Sequence, residues 1–158
     1  MKVQTAIVYL ANLVLLLGCT DQEWHETTSI LENQSGYQVS ISYYKNGSID
    51  TEFSQVLNIN ESKEVLVDAD AGKGRGLTYP TSIQGGEIDS AVVSFDNRKA
   101  VHYGYNKTGR NVNAIIFTDP RNIFNLDSYT ERIILETKKR EEREVKYTFT
   151  QKDYTNAE

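Results

Sequence analysis

Cys19 is the single thiol of this 158-residue chain, and it directly follows an apolar run closed by the small residue Gly18. With no second cysteine it has no disulfide partner within the chain, so the chemistry open to it is acceptance of a covalently attached group. His25 and His102 are the two imidazoles. Neither has a partner at a spacing that marks zinc ligation or a catalytic triad. Asp68-Ala69-Asp70-Ala71 starts like a calcium loop, with alternating carboxylates. The pattern then breaks: Gly72 stands where a third oxygen is needed, Lys73 replaces the turn glycine, and Tyr79 replaces the bidentate glutamate. Asp68 and Asp70 are thus candidate ligands without a completed loop, and no cofactor is expected. Gly72 to Gly76 lacks the Gly-Lys-Ser/Thr ending of a phosphate cradle. Asp89 and Asp96 form a carboxylate pair of the kind that could do acid–base work. Tyr43, Tyr44, Tyr79, Tyr103 and Tyr105 are candidates for a stacking surface that suits sugars or peptides.

The elements that must position these residues begin with the first segment. Met1 to Thr5 carries Lys2 as its only base, and Ala6 to Leu17 is apolar apart from Asn12. This is the length of a signal-peptide core, well short of the roughly 20 residues that span a bilayer. Leu16-Leu17-Gly18-Cys19 then resembles the bacterial lipobox: an aliphatic residue, a tolerant position, a small residue and cysteine. The expectation is cleavage between Gly18 and Cys19, and a thioether-linked diacylglycerol and palmitate on Cys19. Two or more acyl chains give stable anchoring where one is marginal. The acidic stretch Thr20 to Glu26 reads as a flexible tether within residues 19–27, ahead of a body over residues 28–158.

Charge narrows the partners. The formal charge is −5, and loss of Lys2 with the leader makes it −6. A nucleic-acid binder needs a basic stripe that this balance does not provide. Polybasic attraction to lipid is equally disfavoured, so a membrane contact must come through Cys19.

From Thr28 onward the apolar period is mostly two, the period of half-buried strands. Tyr37, Val39, Ile41 and Tyr43 share one parity, and Asn46-Gly47 follows as a hairpin signal. Phe53 to Ile59, Lys63 to Asp68, Ile88 to Asp96 and Ala100 to Tyr105 read as further strands. Tyr129 to Thr137 and Glu144 to Gln151 close the series, with Val145, Tyr147 and Phe149 on one face. Residues 69–87 read as a long glycine-rich connection, and Lys138 to Arg143 as the charged tip of an extended hairpin. The expected fold is all-β: an antiparallel sandwich or partly open barrel of about eight or nine short strands, preceded by the signal-peptide helix.

The layout resembles small Bacteroidota lipoproteins. The lipobox, the strand Ile88 to Asp96 with its turn, and the closing Tyr147-Thr-Phe-Thr-Gln-Lys-Asp-Tyr154 carry the likeness. It implies an outer-membrane location, on the periplasmic or surface face, and brings no catalytic residue. Asp89-Ser90-Ala91 also resembles the O-glycosylation motif of that group, which makes Ser90 a candidate glycan site. Three functions compete at this stage. One is a tethered binding module contacting envelope proteins or glycans, another a tethered hydrolase acting on glycans or peptides, and the third a purely structural envelope part recognisable only through its partners. The first calls for an exposed apolar or aromatic patch, the second for a cleft with converging carboxylates or a nucleophile–base pair.

Overall fold

The computed structural model describes residues 23–71, 88–104 and 114–158, with residues 66–71 described by their backbone. Two four-stranded sheets pack face to face as an all-β sandwich. The strands are β1 (Trp24–Gln34), β2 (Val39–Lys45), β3 (Ser48–Leu57), β4 (Ser62–Ala71), β5 (Ile88–Phe95), β6 (Arg98–Tyr103), β7 (Thr130–Glu136) and β8 (Arg140–Thr150). A short helix, α1 (Gln151–Asn156), follows β8. One sheet has the order β4-β1-β8-β7, the other β3-β2-β5-β6.

The period-two pattern becomes burial. Val39, Ile41 and Tyr43 of β2 point inward, as do Ala91, Val93 and Phe95 of β5 and Val145, Tyr147 and Phe149 of β8. Leu31, Leu57, Ile123 and Phe124 complete the core between the sheets. Phe95, Phe149 and Tyr147 stack in sequence, with ring centroids 6.1 and 4.8 Å apart at tilted or edge-on angles. The expected Asn46-Gly47 turn joins β2 to β3, with both residues at positive φ, 51° and 78°. Asp96 at φ 49° turns β5 into β6.

The structure departs from the sequence reading in four places. Five of the six strand pairings between the described strands are antiparallel, but β1 and β8 run parallel at the centre of their sheet. β1 begins at Trp24, so residues 24–27 of the expected flexible tether are strand, bonded to β4 on one side and β8 on the other. β4 runs on to Ala71, so Asp68 and Asp70 stand on extended backbone opposite Thr27 and His25. A calcium loop wraps its ligands around one ion through a tight turn, and an extended strand does not make that turn. Finally, the charged stretch Lys138 to Arg143 is not all hairpin tip. β8 already begins at Arg140, and Glu141 and Arg143 are turned into the sandwich. The expected signal helix and residues 72–87 lie outside the described residues.

Candidate functional site

The outer face of the β3-β2-β5-β6 sheet gathers two of the candidate tyrosines. Side chains directly opposite one another on paired strands share a face. Ile49, Tyr44, Ser90 and Tyr103 therefore form one transverse row across all four strands. A second row runs Ser42, Val92, Val101, and a third runs Val56, Ser40, Ser94, Lys99. The two central strands contribute Ser40, Ser42, Tyr44, Ser90, Val92 and Ser94, with no charged side chain among them. All six are half-buried, and Ile49 and Val56 on the edge strand are more than half exposed. Strands lie about 4.8 Å apart, so the roots of Tyr44 and Tyr103 are separated by roughly 10 Å with Ser90 between them. Phenol rings supply flat faces for stacking, and serine hydroxyls both donate and accept. The combination suits a neutral hydroxyl-rich or peptide ligand.

The other sequence candidates are distributed as follows. Tyr43 is on the opposite parity and packs in the core edge-on to Phe124, 6.3 Å between centroids, where burial pushes its hydroxyl pKa upward. Ser90, the candidate glycan site, is on the central strand β5 between Tyr44 and Tyr103. Asp89 and Asp96 stand at opposite ends of β5, about 23 Å apart by strand rise. Acid–base pairs of glycoside hydrolysis sit within about 10 Å of each other, so this pair is not a catalytic one. Gly18, Cys19, Tyr79 and Tyr105 lie outside the described residues.

A cavity of about 270 Å³ opens at the base of α1. Phe95, Phe149 and Tyr147 form apolar walls, and His102, Asp119, Arg121, Lys152, Asp153 and Asn156 supply its polar side. His102, Arg121 and Asp153 are already engaged, and Asp119 Oδ1 accepts from the Arg121 amide. Arg121 donates two bonds to Asp153 and one to the Thr148 carbonyl, and lies 4.8 Å over the Tyr147 ring. The Tyr147 hydroxyl donates to the Arg121 carbonyl at 2.8 Å. His102 Nδ1 accepts from the Ile123 amide at 3.1 Å, which leaves the ring proton on Nε2. Burial pushes its pKa down to about 4; Asp153 and Asp119 pull upward and Arg121 adds to the depression. The imidazole is thus neutral at pH 7 and too weak a base for proton abstraction there. The lining has no serine, threonine or cysteine. The cavity therefore lacks the nucleophile–base pair that a hydrolase of that type requires.

His25 sits on the inner face of β1 with its ring nitrogens 3.8 Å from the carboxylates of Glu23 and Glu141. Neither nitrogen has a hydrogen-bond partner. Glu141 instead pairs with Arg143, which also reaches Glu131 at 2.6 Å. Among the described residues no group of three histidine, cysteine or acidic side chains is placed to hold a metal ion.

Several residues that organise the sandwich escaped the sequence reading. Asn33, Asn122, Arg121 and Asp153 make the dense polar contacts, and only Asp153 had a readable signal. Thr150-Gln-Lys-Asp153 has capping-box spacing, and Asp153 Oδ2 accepts from both the amide and the hydroxyl of Thr150. The class defined by the described residues is a two-sheet β-sandwich with a tyrosine–serine row across one outer face. No protein-family model, curated protein or solved structure matches the chain. Among the described residues no helix is long and apolar enough to cross a membrane.

Proposed function

We propose that this protein is a lipid-anchored module of the bacterial cell envelope, held in the outer membrane by acyl chains on Cys19, whose sandwich binds a neutral glycan on the tyrosine–serine centre of its β3-β2-β5-β6 face. The observation that carries the binding role is the row Tyr44–Ser90–Tyr103 across β2, β5 and β6, beside the uncharged outward side chains Ser40, Ser42, Val92 and Ser94 of the two central strands. In a chain with 39 charged residues (17 basic and 22 acidic), an uncharged sheet centre flanked by aromatic rings is a selective feature. Aromatic faces and hydroxyls reward ligands that offer C–H faces and hydroxyls of their own. The anchor is supported by Leu16-Leu17-Gly18-Cys19 after an apolar run of signal-peptide length.

Binding of the detergent-solubilised protein to an array of neutral envelope and plant glycans tests the ligand class. Tyr44→Ala and Tyr103→Ala are expected each to weaken binding of a captured glycan about five- to tenfold, the order of one lost stacking contact of about 1–1.5 kcal/mol. Capture that is indifferent to both substitutions removes this face as the site. Mass spectrometry of the mature N-terminal peptide tests the anchor separately: an unmodified Cys19 or a retained Met1 would sink it.

A further inference from the structure

We infer that the end of the sandwich formed by Trp24 and the β7–β8 turn rests against the phospholipid headgroup layer. This inference builds on the acylation of Cys19 proposed above. Trp24 is the chain's single tryptophan, begins β1, and is 42% exposed. Its amide donates to the Lys139 carbonyl at 2.8 Å, which fixes the start of β1 to the hairpin turn. That turn is closed by its own hydrogen bonds. The Thr137 amide donates to the Arg140 carbonyl, and the Thr137 hydroxyl oxygen accepts from the amides of Lys139 and Arg140. Arg140 is drawn back along the sheet to Glu142 and Glu26. Lys138 and Lys139 form the tip, with exposed side chains.

The length of chain decides what this end can meet. Only residues 20–23 separate Cys19 from Trp24. Fully extended, that path spans roughly 18 Å, so an acylated Cys19 keeps the Trp24 end within that distance of the bilayer. Interfacial tryptophans seat their amphipathic ring at headgroup level, and lysines beside them run their stems along apolar surface with the ammonium at phosphate level. Asp21 and Glu23 stand in the same short path and oppose a purely electrostatic attraction. The indole therefore makes the primary contact, and the two lysines orient it. With this end down, β1 and β8 rise away from the bilayer.

Because Trp24 is the only indole, its fluorescence is a built-in depth probe. Full-length protein matured in cells would be reconstituted in vesicles of phosphatidylethanolamine and phosphatidylglycerol brominated on the upper acyl carbons. Its Trp24 emission is expected to fall about twofold against unbrominated vesicles and to lose quenching by aqueous iodide. Lys138→Glu with Lys139→Glu is expected to reverse most of that protection. A Cys19→Ser chain supplies the unanchored baseline. If the vesicle-bound, acylated protein shows Trp24 unquenched by bromine and as open to iodide as this baseline, the contact is overturned and the anchor stands. If mass spectrometry finds Cys19 unmodified in the wild-type protein, both the anchor and the contact are overturned.

Discussion

Arg121 meets Asp153 side-on, Nε 2.9 Å from Oδ1 and Nη2 2.5 Å from Oδ2, and so ties the 119–125 segment to the helix that ends the chain. A planar guanidinium and a carboxylate fit each other through two parallel bonds. Asp153 is 90% buried and has a second task, closing the start of α1 onto Thr150. Asp153→Ala removes both functions and leaves Arg121 partly buried without its counter-charge. The expected loss in urea unfolding is about 3 kcal/mol. Thr150→Ala, which touches only the cap, is expected to cost about 1 kcal/mol. Arg121→Ala in the Asp153→Ala background should cost far less than in the native protein, since the shared interaction has already gone. Strict additivity of the two substitutions would show that the pair contributes nothing beyond its separate contacts.

His102 makes stability pH-dependent with a definite sign. Its folded-state pKa is about 4 because burial disfavours the imidazolium, against 6.5 for a free imidazole. As pH falls, the unfolded chain takes up this proton first. Stability from this group is complete above pH 6.5, falls as pH drops from 6.5 to 4, and is fully lost below 4. The gap between the two values corresponds to about 3 kcal/mol. His102→Asn retains an acceptor for the Ile123 amide and has no proton to take up. The difference between the two proteins in unfolding free energy is expected to change across this window and to be flat above pH 7. A difference that stays constant from pH 4 to 7 would falsify the neutral, buried assignment.

What was legible in the sequence was whatever is encoded within a few residues. Val39, Ile41 and Tyr43 announce a buried face by alternation, and Asn46-Gly47 announces its turn by tolerance of positive φ. Which strand lies beside which is decided by pairings over long sequence separations. β1 and β8 lie more than a hundred residues apart, and no local pattern specifies that they pair in parallel. The same holds for the candidate face. Tyr44, Ser90 and Tyr103 become neighbours only once three strands are in register. Glu141 and Arg143 misled the reading because charge in a short run suggests solvent, whereas the parallel pairing turns both inward. The helix after β8 was missed because only six residues form it, too few to show a 3.6 period.

Asn33 illustrates a residue whose weight is invisible in its local sequence. It is fully buried at the end of β1. Its Nδ2 donates to the carbonyls of Tyr37 and Asn58 at 2.7 and 2.9 Å, and more weakly to Leu57. Its Oδ1 accepts from the amide and hydroxyl of Ser35. One side chain thus joins the β1–β2 connection to the β3–β4 turn, using donor and acceptor at once. Asn33→Asp keeps the shape and converts the donor into an acceptor that faces carbonyls. The expected cost is about 3 kcal/mol or more, from buried and partly buried carbonyls that lose their Asn33 donor and a buried charge that repels them. Asn33→Leu should fare little better. A midpoint in urea within experimental error of the native protein for either variant would show that the turns are held elsewhere.

The β7 edge is expected to behave in the opposite way. Every residue from Thr130 to Glu136 is exposed, and Ile133, Ile134 and Leu135 stand at 52, 51 and 38%. The pairing with β8 shifts register between Ile133 and Leu135, leaving Ile134 out of the ladder. A bulge of this kind twists an edge strand and discourages another strand from adding to it. An exposed residue outside the ladder contributes little to folding, so Ile134→Lys is expected to change stability by less than about 0.5 kcal/mol. The same substitution removes apolar surface from an open edge and should lower self-association, seen as reduced light scattering when the protein is concentrated. If Ile134→Lys instead destabilises the fold by more than about 2 kcal/mol, Ile134 is covered by some part of the protein and β7 is not an open edge. That outcome would also show that a face bounded by this strand has a partner within the chain, since a surface residue makes no such contribution to folding on its own.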